Sequence, residues 1–198
     1  MRLVLATHNS AKVRELAKLL EPCDVQALAA DIRLPPETGS TFRENATIKA
    51  VAAAAATGLP VLADDSGIEA AALGGAPGVF SARYAGPQAT DEQNLDKLRR
   101  EVPAGGALRY VCVLCFIDPG EPVEAVFEGC CDGRMAAAPR GSGGFGYDPV
   151  FLPDDGPPGL TMAQLTPAQK DAISHRGRAA RALLQWLAMR EAGALRSG

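Results

Sequence analysis

Near the start of the chain, Thr7-His8-Asn9-Ser10-Ala11-Lys12 places an amide side chain and an ammonium three residues apart, where an apolar run gives way to a helical pattern. Asn9 or Ser10 at such a handover caps a helix, and a helix N-terminus presents free N–H groups and the positive end of the backbone dipole. Lys12 in the first turn adds a cation to the same place, which would make an anion site. The plainer alternative is a cap with Lys12 in solvent. The glycines and the GK[ST] ending of a Walker loop are absent.

A carboxylate set follows: Glu37, Glu44, Asp64 and Asp65. Hard oxygen ligands without nearby His or Cys suit Mg²⁺, which bridges phosphates and keeps several waters. Glu44 lies three residues after Thr41, so a capping box alone accounts for it. Asp64-Asp65-Ser66-Gly67 is good turn chemistry, yet two adjacent carboxylates at the end of a buried strand repel each other, and a cation would relieve that. Ser174-His175-Arg176 puts two potential cations in the first turn of a helix, the wrong end for its dipole. An anionic or electron-rich ligand would offset that cost, although a surface also tolerates single misplacements. Lys170 just upstream enlarges the cluster. In Gly141-Ser142-Gly143-Gly144-Phe145-Gly146-Tyr147-Asp148 the glycines allow close backbone approach to a flat ligand. Phe145 and Tyr147 supply aromatic faces, and base–aromatic stacking is worth about 1–3 kcal/mol per base. The alternative is a bend with both rings folded inward.

The elements that must position these residues read as mixed α/β around a central sheet. Arg2–Ala6 is a buried strand and Ser10–Leu20 a helix with Val13, Leu16, Ala17 and Leu20 on one side. Val25–Leu28 is a second strand. Thr41 opens a long alanine-rich helix that ends at Gly58, and Leu59–Ala63 is a buried strand terminating in Asp64–Gly67. Leu73–Gly86 is loop and Thr90–Glu101 helix. Leu108–Ile117 and Val123–Cys131 form a hairpin around Asp118-Pro119-Gly120. Thr166-Pro167-Ala168-Gln169 starts a short helix, and Ser174 caps a last one through Met189. Thr7–Lys12, Asp64–Ser66 and Phe145–Asp148 all fall at strand ends or glycine loops, where ligands bind in open α/β sheets.

With 198 residues, 47% hydrophobic and 22% charged, the chain suits one domain, 1–198, with one sizeable core and at most two lobes. A net charge of −3 gives no global field for nucleic acid. No secretory signal or transmembrane stretch is evident, so the expectation is a cytoplasmic protein without membrane attachment. The five cysteines are read as buried thiols rather than as a zinc or redox pair.

The sequence also resembles the RdgB/Ham1 family of inosine/xanthosine triphosphate pyrophosphatases. The stretches ATHNSAKVREL, LPPETGSTFRENATIKA, LADDSGIE, GGAPGVFSARYAG, APRGSGGFGYDPVF and AQKDAISHRGRA carry the resemblance, in that order. It implies an elongated mixed central β-sheet with flanking helices, two lobes around a central cleft, and a homodimer. It implies hydrolysis of the deaminated purine nucleotides dITP, ITP and XTP to monophosphate and pyrophosphate, with Mg²⁺, as a house-cleaning reaction. By the same resemblance Thr7, His8, Asn9, Ser10, Ala11 and Lys12 wrap the triphosphate, helped by Lys49, and Ser66 touches substrate. Glu37 and Asp65 hold the metal. Asp65 is the base, with Glu44 near the attacking water and Lys12 completing the catalytic set. Phe145, Gly146, Tyr147, Asp148, Lys170, His175 and Arg176 match the base-recognition wall. His8 departs from the glycine or asparagine many relatives carry. A donor such as Arg176 would donate to a 6-oxo group and face another donor in adenine's amino group, leaving a buried donor unpaired at about 1–3 kcal/mol. The rival readings are a Maf-type pyrophosphatase, whose opening Ser/Pro/Arg loop is missing here, and a nucleotide-binding regulator without catalysis.

Overall fold

Arg2–Leu5 (β1) is apolar from Leu3 onward, and Leu3, Val4 and Leu5 are buried. The chain leaves it through Ser10–Leu19 (α1) and returns as Asp24–Ala27 (β2), which lies parallel to β1 with Arg2 opposite Asp24. Phe42–Thr57 (α2) makes the second crossover, to Val61–Ala70 (β3), also parallel to β1. Parallel neighbours need such helical crossovers, which is why the two helices fall where they do. Asp91–Glu101 (α3) precedes two long strands, Ala107–Asp118 (β4) and Val123–Met135 (β5). Phe151–Pro153 (β6) pairs antiparallel with β5. Pro167–Ile173 (α4) and His175–Ala194 (α5) complete the chain. The sheet order is β2-β1-β3-β4-β5-β6, so the sheet is mixed. The computed structural model describes residues 1–121 and 123–194; residues 195–198 of the expected domain lie outside them.

Contacts divide the chain into two compact units. The first comprises 1–65, 113–129 and the chain from 176 onward; the second comprises 66–112 and 130–175. Strands β3, β4 and β5 each pass from one unit into the other. In the first unit, Ala46, Ala50, Ala53 and Ala54 are the buried positions of α2, together with Phe42, Asn45 and Lys49. Phe116 and Phe127 meet Trp186 edge-on, with centroids 5.5 and 5.6 Å apart. The core of the second unit gathers Ile68, Leu98, Tyr110, Tyr147, Phe151 and Met162.

The helix starts follow the local chemistry. Asn9 caps α1, Thr41 and Glu44 form a reciprocal box on α2, and Thr166 with Gln169 does the same for α4 with Pro167 in the first turn. Gly58 closes α2 at φ 63°, a conformation that glycine adopts at little cost. Two expectations change. The strand does not stop at Asp64: β3 continues through Asp64, Asp65, Ser66 and Gly67 to Ala70. Turn propensity loses there because both carboxylates are buried against cations inside the first unit. The last helix runs from His175, immediately after Ser174, to Ala194 rather than ending at Met189, and Ser174 is also the C-cap of α4, its N–H donating to the Lys170 carbonyl. All five cysteines are free thiols; Cys112, Cys115 and Cys131 are buried, whereas Cys23 and Cys130 are half-buried. No helix among the described residues is long and apolar enough to cross a membrane.

Candidate active site

In the first unit Asp64 is the hub. Its side chain is fully buried, with Lys12 Nζ against one carboxylate oxygen and Arg176 Nε 3.4 Å from the other. The Arg176 guanidinium also donates to Glu15 Oε2 at 2.9 Å. Next along β3, Asp65 is 5% exposed, and its Oδ1 lies 3.2 Å from Lys49 Nζ. The same ammonium donates to Glu37 Oε1 at 2.6 Å and to the Asp64 carbonyl at 2.8 Å. Lys12, Asp65 and Arg176, drawn from α1, β3 and α5, are therefore assembled around one acidic pair. Across these contacts the carboxylates of Asp64, Asp65, Glu37 and Glu15 meet Lys12, Lys49 and Arg176.

Electrostatics separates the neighbouring aspartates. Burial alone would raise the Asp64 pKa, but Lys12, Arg176 and Lys49 outweigh it and hold the carboxyl far below its usual range. Asp65 goes the other way: desolvation pushes its pKa up, Glu37 and Asp64 add repulsion, and Lys49 compensates only in part. For Lys49, burial works against the charge, yet Asp65 and Glu37 raise its pKa overall. Asp65 Oδ2 is buried and has no hydrogen-bond partner.

The opening turn is ordered by its own side chains. Asn9 Oδ1 accepts from the Ala11 and Lys12 amides at 2.9 and 3.1 Å, the Asn9 amide donates to Thr7 Oγ1, and His8 Nε2 lies 3.0 Å from the Ile32 carbonyl. Thr7, His8 and Ser10 line a hollow of about 260 Å³. Glu44 is exposed and committed to its own helix start: Oε2 accepts from Ser40 N, Ser40 Oγ and Thr41 N at 2.6, 2.9 and 3.2 Å. The hydrogen bonds from Ser40 lower its pKa.

In the second unit Asp148 organises the glycine loop. One oxygen accepts from Lys170 Nζ at 2.8 Å and from the Phe145 amide at 3.1 Å, and the other accepts from the Tyr110 hydroxyl at 3.1 Å. Gly144, at φ 72°, lies so close that an added Cβ would stand 1.9 Å from Asp148 Oδ2. The Gly146 amide donates to Asp91. Phe145 is half-buried, with Lys170 Nζ 5.4 Å from its ring centroid. Tyr147 is buried instead of presenting a face: its hydroxyl donates to the Ser81 carbonyl at 2.7 Å, which satisfies its polar end and lets the ring join the core. His175 is buried too, stacked on Tyr110. Ser66 is half-buried on β3.

The side-chain partners of the residues that the resemblance assigns to the base-recognition wall fall in both units. The Arg176 guanidinium goes to Asp64 and Glu15 in the first unit, while Phe145, Gly146, Tyr147, Asp148, Lys170 and His175 belong to the second. Glu15 went unnoticed in the sequence; its signal was the spacing of three from Lys12, which puts both on one face of α1. Tyr110 gave no signal, being one apolar-looking residue in a strand.

The fold is a mixed α/β sheet whose first unit holds an acidic pair among lysines and an arginine and whose second unit holds a glycine loop bearing an acid–lysine pair. Residues 3–186 match the model of the Ham1 family, and the chain belongs to that family. A dITP/XTP pyrophosphatase of Deinococcus radiodurans is 50% identical over 188 residues, covering 92% of this chain and 91% of that protein. Its namesake from Cutibacterium acnes is 46% identical over 193 residues, covering 92% and 94%. The solved structure of a HAM1 protein from Coxiella burnetii superposes with a TM-score of 0.81 at 41% identity, covering 96% of this chain and 99% of that one.

Proposed function

We propose that this protein hydrolyses dITP, ITP and XTP to the nucleoside monophosphate and pyrophosphate. The observation that carries the reading is Asp65: a buried carboxylate with one oxygen on Lys49, the other unpartnered, and its pKa raised by burial. The unpartnered oxygen faces away from Lys49 and is placed to orient a water, so positioning and charge neutralisation would supply most of the rate. Asp65 takes the proton of a water that attacks the α-phosphorus, and pyrophosphate departs. Lys12, Lys49 and the Thr7–Lys12 segment hold the phosphate oxygens, and Lys12 neutralises charge that builds on them. Glu44, exposed on its helix start, is kept as a supporting acid by the family resemblance alone.

The donor set fits Mg²⁺. Asp65 Oδ2 is an orphaned buried oxygen, and Glu37 shares the Lys49 ammonium with Asp65, so Asp65 and Glu37 would hold the ion. Among the described residues no three His, Cys, Asp or Glu side chains form a complete cage, which agrees with an ion that binds one or two carboxylates plus substrate phosphates. When bound, it would polarise the phosphate under attack.

Base choice belongs to the second unit. Hypoxanthine and xanthine present an oxo acceptor beside an N1–H donor, and adenine reverses the two. Lys170 and Asp148, a donor and an acceptor 2.8 Å apart, have the complementary order, with Phe145 as stacking face, Gly146 for close approach, and Tyr147, His175 and Ser66 shaping the surroundings. Arg176, held between Asp64 and Glu15, serves the phosphate cluster in this scheme. The reading includes a homodimer, measurable by light scattering, and a cytoplasmic setting.

The experiment is a product assay with Mg²⁺ on a panel of purine triphosphates, using wild type and Asp65→Asn. Wild type is expected to release pyrophosphate from ITP, dITP and XTP well ahead of ATP and GTP. The variant should retain ITP binding while losing about 10²–10⁴-fold in rate, the usual worth of a positioned base. Orthophosphate as first product, or a fully active variant, overturns the mechanism.

A further inference from the structure

Tyr110 lies on β4 in the second unit, is 6% exposed, and meets two wall residues that are distant in sequence. Its ring stacks on His175 with centroids 4.5 Å apart and planes within 5°. Its hydroxyl donates to Asp148 Oδ1 at 3.1 Å. Its ring also meets Phe151, tilted 45° with centroids 4.6 Å apart. Asp148 in turn orders Phe145 and Lys170 through its other oxygen. One rigid side chain on a strand is thus the common reference for the glycine loop and for the start of α5. The second torsion of an imidazole is soft and broadly two-fold, so a parallel stack fixes what the backbone leaves free. A carboxylate with two lone pairs on each oxygen rotates unless both sides are engaged, and Tyr110 engages the side that Lys170 does not.

We propose that Tyr110 is a positioning residue for purine selection, setting the plane of His175 and the orientation of the Asp148 carboxylate without contacting the nucleotide. The inference rests on the proposed triphosphate chemistry. Selection by a donor–acceptor pair depends on tenths of an ångström, because the wrong base must leave a polar group unpaired rather than find a relaxed alternative. Loosening the acceptor would admit adenine before it harmed hydrolysis.

The test compares Tyr110→Phe and Tyr110→Leu with wild type in kcat and KM for ITP, ATP and GTP, with thermal unfolding alongside. Tyr110→Phe keeps the stack and loses the hydroxyl. Its ITP-to-ATP ratio of kcat/KM should fall about tenfold, as expected for one hydrogen bond to a charged acceptor. That loss should appear in KM for ITP with kcat within twofold of wild type, a split that general destabilisation would not produce. Tyr110→Leu loses both contacts, and its ratio should fall further. If the leucine variant does not fold, the phenylalanine variant decides alone. An ITP-selective wild type whose folded variants keep the ratio within twofold overturns the role of Tyr110 by itself. A wild type that releases no pyrophosphate from any purine triphosphate overturns the underlying reading, and this inference with it.

Discussion

Two neighbouring aspartates with opposite pKa shifts show how little residue type decides. Asp64 and Asp65 share a strand and a cation cluster, yet full contact with Lys12 and Arg176 keeps the first ionised, while desolvation works against charge on the second. The consequence for stability has a definite sign. A carboxyl whose folded pKa is depressed contributes stability that is present above its unfolded value, near 3.9, and is lost as pH falls below it. Denaturant midpoints should therefore drop as pH falls from 5 to 3, with each such group costing up to about 1.4 kcal/mol per pH unit. Asp64→Asn should be less stable than wild type at pH 7, because it takes the anion from Lys12 and leaves Arg176 with Glu15 alone, and should show a shallower acid limb. An acid limb of unchanged steepness would remove Asp64 from the account.

At the scale of elements, the glycine loop is held by geometry that only glycine supplies at one point. Gly144 combines φ 72° with an added Cβ 1.9 Å from Asp148 Oδ2, whereas Gly146 has φ 62° and open space around it. Gly146→Ala should cost only the backbone term, about 1 kcal/mol, while Gly144→Ala should cost clearly more and raise KM for ITP, since Asp148 must move. Equal unfolding midpoints for the two variants would contradict that. Much of the element layout was legible beforehand. Capping boxes at Thr41 and Thr166, the glycine after α2 and the Val13–Leu20 periodicity are local signals, and local signals survive folding. What was not legible depends on distant partners. Nothing near Asp-Asp-Ser-Gly says that Lys12 and Arg176 will arrive to keep it a strand, and nothing near Tyr147 says that a Ser81 carbonyl will let it go inside.

On the scale of the whole molecule, the sequence motifs do not map one to one onto the units. Asp65 and Ser66 are consecutive yet fall on either side of a boundary, as do His175 and Arg176. The resemblance groups His175 with Arg176 as matches to the base-recognition wall; in the structure one stacks on Tyr110 and the other binds Asp64 and Glu15. Lys49 carries a consequence of its own. Its ammonium bridges Glu37 and Asp65, the two oxygen donors proposed for the divalent ion. A resident monovalent placeholder means that an ion-starved molecule keeps its acids compensated. Treatment with a chelator should then abolish turnover yet leave the melting temperature within about 2 °C of the loaded form, far from the collapse of folds that depend on a structural metal. Lys49→Met should forfeit that tolerance and melt early in chelator.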